Sequence, residues 1–414
     1  MTQLVNRNRI KLQASRQLFS LLFVLVLTLL SFLTTACSPS QARTAEQRTF
    51  RDLSLDFLGE YRLPKTKFKD TPVGGLSALT YDRQRNKFYA LSDDRSQFAP
   101  ARFYTVALSV KRTDKGEIGI EKVDVEDVTF ITDENGKNYA QGSIDPEGMS
   151  LSPRGTVFIS SEGVPSSGIA PFIREFDLKT GQQRSSLMIP ERYLAPEDTK
   201  DKEKQEQPPR GIQDNLGFEA LTLELGSLAG GNGDPFRLFT ATESALWQDA
   251  LPPKSQESAR IRLMHYLIGP ISRPTVVAEH LYLLDPAPAG AIDNGLTELV
   301  TVDMGGHFLT LERTYGVLGA NAKIYQMAMS AATDTSTIET LKGDVSRINA
   351  VKKKLVLDLS ELGIYLDNLE AMALGPRLPD GSQSLLLVSD DNFRDAQITQ
   401  FLLFRLKGLS TAPD

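Results

Sequence analysis

Carboxylates recur along this chain at a spacing that no single active-site motif needs. Glu147-Gly148-Met149, Glu219-Ala220-Leu221, Glu298-Leu299-Val300 and Glu370-Ala371-Met372 follow one another at intervals of about 72–79 residues. Each leads into a second apolar run that closes on an acid: Ser161-Glu162, Thr242-Glu243, Leu311-Glu312 and Ser389-Asp390-Asp391. A fifth copy lacks the first acid and runs from Gly74-Gly75-Leu76-Ser77 to Ser92-Asp93-Asp94. Carboxylates brought together repel and raise one another's pKa unless positive charge sits among them. Calcium answers that need, because it takes about six to eight oxygens in loose geometry and is abundant outside the cytoplasm. The candidate ligands are Asp93, Asp94, Glu147, Glu162, Glu219, Glu243, Glu370, Asp390 and Asp391, with Glu298 and Glu312 in the same series. The plainer role for any one repeat glutamate is to cement neighbouring units by accepting backbone hydrogen bonds.

Arg95 directly follows the first acid doublet and could pair with a phosphate oxygen. Arg102 and Lys323 are further candidates for contacting substrate, with Arg154 and Arg174 behind them. For all of these, a surface salt bridge is the ordinary role. Other chemistry is mostly absent. The three histidines, His265, His280 and His307, are dispersed in strand-like runs and suggest packing rather than a zinc cluster. No Gly-x-Ser-x-Gly elbow and no Ser-x-x-Lys pair argues for a standard serine esterase. Gly230-Gly231-Asn232-Gly233-Asp234 reads as a turn, not as a nucleotide loop.

The elements that must place these acids are strands. Short β-branched and aromatic runs recur between Gly, Pro, Asn and Asp clusters, about four to each repeat. A long period of this kind is one supersecondary unit used repeatedly. The last unit lacks its fourth strand, and Leu55–Leu63 at the other end can supply it. The pattern predicts an all-β β-propeller of five four-stranded blades closed by an N-terminal strand, or six if a degenerate blade is merged into its neighbour. Closure of this kind removes exposed sheet edges. The first acid starts the innermost strand and the second ends the next, so an antiparallel hairpin brings both to one end. The ring then gathers them at one mouth of the channel, where the doublets Asp93-Asp94 and Asp390-Asp391 should be neighbours. Ser336–Lys354 has helical apolar spacing and a capping-box start at Ser336 and Glu339, which predicts a helix on the outside of blade four. Glu197–Gln207 reads as a solvated charge run.

Residues 1–37 read as a signal peptide. Arg7, Arg9, Lys11 and Arg16 precede an apolar run from Leu18 to Leu33, and Thr34-Thr35-Ala36-Cys37 ends it. The ending resembles a bacterial lipobox, which would make Cys37 the lipidated first residue, with residues 38–52 as a polar tether and 53–410 as the propeller. Ser38 after the cysteine resembles the outer-membrane sorting choice. Cys37 is the single cysteine, so no intramolecular disulfide forms and stability must come from packing or bound metal. The 414 residues are 41% hydrophobic, enough for a large core, and the net charge of −6 argues against a nucleic-acid partner.

The order of motifs carries a resemblance. Gly74-Gly75-Leu76-Ser77 with Ser92-Asp93-Asp94-Arg95, Asp145-Pro146-Glu147-Gly148-Met149, Asn215-Leu216-Gly217-Phe218-Glu219-Ala220-Leu221 with Glu243-Ser244, and Asn368-Leu369-Glu370-Ala371-Met372 with Ser389-Asp390-Asp391-Asn392 resemble the bacterial "esterase-like activity of phytase" family, the phytase-like domain. The likeness spans roughly Gly74 to Leu406. It implies an exported β-propeller, sometimes a lipoprotein, that hydrolyses phosphate or carboxylic esters. On that expectation Glu147, Glu219, Glu370 and Arg95 carry the catalysis, with calcium held among the carboxylates and a small ester or phosphoester as substrate. The competing expectation is a non-catalytic propeller lipoprotein that binds a small ligand or a protein.

Overall fold

The computed structural model describes residues 49–409, except 113–115, 197–207, 225, 227–232, 253–256 and 318. The expected leader with Cys37, most of the tether and the charge run Glu197–Gln207 lie outside the described residues. The described chain folds into five four-stranded antiparallel sheets, joined by 3-10 turns and loops. No described helix is long and apolar enough to cross a membrane.

The chain begins with β1 (Ser54–Leu63) and a small hairpin, β2 (Thr66–Phe68) with β3 (Thr71–Val73), which the sequence pattern did not signal. Blade one follows as β4 (Leu76–Asp82), β5 (Lys87–Ser92), β6 (Arg102–Arg112) and β7 (Ile118–Phe130). Blade two is β8 (Pro146–Leu151), β9 (Thr156–Ser161), β10 (Phe172–Asp177) and β11 (Gln183–Ser186). Blade three is β12 (Phe218–Leu223), β13 (Phe236–Thr242), β14 (Arg260–Ile268) and β15 (Thr275–Leu283). Blade four is β16 (Ala291–Thr301), β17 (His307–Gly316), β18 (Gly319–Ala328) and β19 (Lys352–Asp358). Blade five is β20 (Asn368–Arg377), β21 (Gln383–Asp390) and β22 (Thr399–Lys407), with β1 as its outer strand.

The ring closes as the repeat predicts. Inner strands β4, β8, β12, β16 and β20 touch in turn, and β20 returns to β4. β1 pairs antiparallel with β22, Ser54 opposite Lys407 and Leu63 opposite Thr399. Thr399 lies at the end of the blade where β21 finishes in Asp390, so the chain enters the propeller at the opposite end, near Ser54.

Each blade is covered by two neighbours, so its first two strands are buried on both faces. All of β9 and β12 is buried. The core is therefore five separate apolar clusters, one in each blade–blade seam. Phe158 of blade two meets Phe236 of blade three across one seam, and Phe239 of blade three meets Phe308 of blade four across the next, with ring centroids 6.0 and 4.9 Å apart.

The helix expected over Ser336–Lys354 does not form. Residues 336–351 are turns and extended chain, and they cover the outer strands of blade three rather than blade four. The reason is where the carbonyls go. Arg260 donates to the oxygens of Leu341 and Gly343, Arg262 to that of Glu339, and Arg192 to those of Ser336 and Ile338. A helix would need those carbonyls for itself. Buried Leu341 and Val351 supply the apolar spacing that suggested a helix.

Candidate functional site

Each inner hairpin carries a register shift at the same place. The shifts fall between Leu76 and Ala78, Pro146 and Met149, Phe218 and Ala220, Leu296 and Glu298, and Leu369 and Ala371. A β-bulge leaves one residue out of the ladder and re-aims its side chain. The bulged residues are Ser77, Glu147, Glu219, Thr297 and Glu370, so the repeated glutamate is the bulge. The second position follows the end of the next strand. Backbone N–H groups of Asp93, Glu162 and Glu243 donate to the carbonyls of Gly75, Asp145 and Gly217 at 2.8, 3.1 and 2.7 Å, which seats each acid beside the start of its inner strand.

Three of the five bulged residues, Glu147, Glu219 and Glu370, and all five second positions thus line one end of the channel, around a cavity of about 240 Å³. Asp93, Glu147, Glu162, Glu219, Glu243, Asp293, Glu370 and Asp390 line it, with Arg95, Arg313 and Arg394 as the cations. Ligand oxygens of Asp145, Glu147 and Glu162 lie within 4.8 Å of one another, and so do those of Glu162, Glu219 and Glu243. These buried carboxylate clusters are able to hold a metal ion.

Blade four breaks the pattern by one residue. Its bulge is Thr297, so Glu298 occupies the place held by Ala78, Gly148, Ala220 and Ala371 elsewhere. A one-residue slip sends a strand side chain the other way. Glu298 is buried and accepts hydrogen bonds from the backbone of Leu299, Leu221 and Met372, tying blades three, four and five together. Glu312 also stays out of the cavity, held by Lys353 and by the Tyr282 hydroxyl. The residue after it, Arg313, takes the second position. It pairs with Glu243 at 2.6 Å and Asp293 at 2.9 Å, and lies 3.7 Å from Glu370.

The acid doublets meet at the ring closure and divide the labour. Asp93 and Asp390 face the cavity together. Asp94 instead accepts backbone N–H groups of Gln97, Phe98 and Ala99 and pairs with Arg102 at 2.7 Å. Asp391 accepts from Gly75 and Phe393 and pairs with Lys65 at 3.1 Å. Of the proposed substrate contacts, Arg95 lines the cavity but is engaged with Asp145 and Asn215. Arg102 is fully buried against Asp94, Tyr104 and the Pro72 carbonyl, where no substrate reaches it. Lys323 stands beside Asp285 on blade four and is no part of the cavity wall. Arg154 and Arg174 lie over the rings of Phe236 and Phe172.

Sequence reasoning missed Asp145, Arg313 and Arg394. Asp145 stood inside the Asp145-Pro146-Glu147 motif, and Arg313 emerges once Thr297-Glu298-Leu299 is aligned on Glu219-Ala220-Leu221. Arg394 gave no signal, since a turn of uncommon shape presents it. Asn392 and Phe393 are both left-handed, at φ of 46° and 53°. Asp390 and Asp391 hold their N–H groups, and the Phe393 ring sits against Gly75, where an added Cβ would lie 2.5 Å from it.

Burial dominates the electrostatics, and mutual repulsion adds to it. Burial pushes Glu243 up to about 7, against the pull of Arg313. It lifts Asp390 to about 7 and Glu370 to about 8, where repulsion from Asp390 contributes next. Asp93, Glu147, Glu162 and Glu219 are raised well above the ordinary range by burial and then by neighbouring carboxylates. Arginine compensation is incomplete. Asp93 Oδ1 and Arg313 Nε are buried without a hydrogen-bond partner.

The geometry defines the class of the molecule. It is a five-bladed β-propeller with an acidic mouth. The chain belongs to the Phytase-like family, described as "Esterase-like activity of phytase", whose model matches residues 71–393. No curated protein matches it. Among solved structures, a candidate gluconolactonase is 11% identical and covers 87% of this chain and 94% of its own, with a TM-score of 0.34. The allergen Mala s 1 of Malassezia sympodialis is 11% identical over 80% of this chain and 93% of its own, at 0.36. The N-terminal domain of Nup159 is 11% identical over 86% and 96%, at 0.32.

Proposed function

We propose that the acidic mouth is a cation-dependent hydrolytic site for phosphate or carboxylic esters, carried by an exported protein with a lipid anchor at Cys37. The observation that supports it most is the uncompensated ring. Eight carboxylates line one small cavity, against three arginines, and the orphaned Asp93 Oδ1 lies among them. The donor set is oxygen alone, which suits calcium. Asp145, Glu147, Glu162, Glu219 and Glu243 would hold it, with Asp93, Glu370 and Asp390 alongside. When bound, a divalent cation polarises the ester oxygen and lowers the pKa of a water.

The chain's own residues supply the rest. Arg95 holds Asp145 in place and opposes the rise that burial imposes on its pKa. Arg394 is exposed at the rim with no acid among the described residues paired to it, so it is the cation free to meet an anionic substrate. Glu370, raised to about 8, is able to carry and release a proton near neutral pH. The second reading, a binding propeller without turnover, is favoured by one observation. No described residue of the cavity wall is a histidine, serine or cysteine. Turnover of a panel of phosphate and carboxylic esters, in calcium and in chelator, decides between them. Chelator-sensitive hydrolysis supports the site as drawn, and a panel with no turnover alongside calcium binding supports the second reading.

A further inference from the structure

Blades two and three are the one adjacent pair in which both ring positions are acidic: Glu147 and Glu162, then Glu219 and Glu243. Blade one has Ser77 and blade four has Thr297 with Arg313. We propose that this seam holds two divalent cations rather than one, with the Glu162 carboxylate shared between them. The inference rests on the cation-dependent reading above and adds number and arrangement to it.

The geometry carries it. Asp145, Glu147 and Glu162 form one triad of oxygens within 4.8 Å, and Glu162, Glu219 and Glu243 form a second. Glu162 belongs to both. Its place is fixed, because the Gly217 N–H donates to its carboxylate and a Cβ on Gly217 would lie 2.8 Å from the Glu162 Cβ. The outer members of the two triads already have cations. Arg95 is 2.6 Å from Asp145 and Arg313 is 2.6 Å from Glu243. Between those two guanidiniums, Glu147, Glu162 and Glu219 have no cationic partner within ion-pair distance among the described residues.

Glu219 points independently to a ligand. It is 9% exposed, it lines the cavity, and its carboxylate accepts no hydrogen bond from any described residue. A buried carboxylate left so is costly unless a cation completes it. A single divalent ion in one triad would leave the other uncompensated, whereas two ions bridged by one carboxylate satisfy both. Paired ions about 3.5–4 Å apart are the arrangement that clamps two oxygens of a phosphoryl group at once. The substrate class that fits is an ester whose acid part offers two such oxygens.

The test is calcium titration of the chelator-treated full chain, by calorimetry and by native mass spectrometry. Two equivalents are expected in the wild type, one in Glu147→Gln and in Glu243→Gln, and none in Glu162→Gln. One equivalent in the wild type overturns the pair and leaves the cation reading standing, and none overturns both. Retention of one ion by Glu162→Gln overturns the sharing. Should that variant fail to fold, wild-type protein loaded with two equivalents of Mn2+ answers by electron paramagnetic resonance. A spin-coupled spectrum supports a shared carboxylate, and the spectra of two isolated ions overturn it.

Discussion

At the scale of single residues, the same side-chain type does opposite work one position apart. Glu219 and Glu298 look alike in sequence, yet the bulge aims one at the cavity and the ladder aims the other at backbone N–H groups of three blades. Glu298→Ala should therefore lower stability by about 1–3 kcal/mol, the cost of stranding buried donors. Thermal unfolding measures it, and calcium affinity should be unchanged. Arg394 is the converse case, exposed and without an acid partner. In Arg394→Ala the KM for an anionic ester should rise about tenfold with kcat little altered, matching the loss of about 1.4 kcal/mol of binding. A neutral ester should show no such rise. Steady-state kinetics on the two substrates checks both halves. The acids of the ring were legible because type and spacing announced them. Their division into cavity-facing and loop-holding members was not, since Asp93 and Asp94 differ only in which way the chain turns after β5.

At the scale of elements, the hairpin repeat was readable in nearly every blade, including the borrowed strand β1 in blade five. Period-2 runs bounded by turn residues encode it directly. Blade four misled because Glu298-Leu299-Val300 matches the motif by letters while its bulge falls one residue earlier. Ser336–Lys354 misled because apolar spacing records which side chains are buried, and a loop pinned by arginines can bury the same ones. What positions the seam of blades two and three is close backbone approach. A Cβ on Gly148 would lie 2.1 Å from the Glu219 carbonyl oxygen. Gly148→Ala should push the two inner strands apart, at a cost of about 1–3 kcal/mol. Calcium affinity should also fall, since the strands that separate carry Glu147 and Glu219. Denaturant unfolding with and without calcium would detect both effects.

For the whole molecule, the acidic ring sets how stability depends on pH. Glu243 and Asp390 are raised to about 7 and Glu370 to about 8, against ordinary carboxylate values near 4. The folded state therefore binds more protons than the unfolded chain between about pH 4.5 and 8, so stability falls as pH rises through that window. His265 works the other way. Burial lowers it to about 4, so it contributes stability that is lost as pH falls from about 6.5 toward 4. The carboxylates outnumber it. Melting temperature in chelator should decline from about pH 5.5 to 8, and saturating calcium should flatten the decline by holding the ring ionised. A profile that is flat in chelator would contradict the burial and crowding described for the mouth. Strand β1 has a consequence of its own. It enters at Ser54, at the end of blade five away from Asp390, and runs toward the mouth end at Leu63. The chain thus threads the last sheet of the ring from the end away from the acids and reaches the mouth only after Leu63.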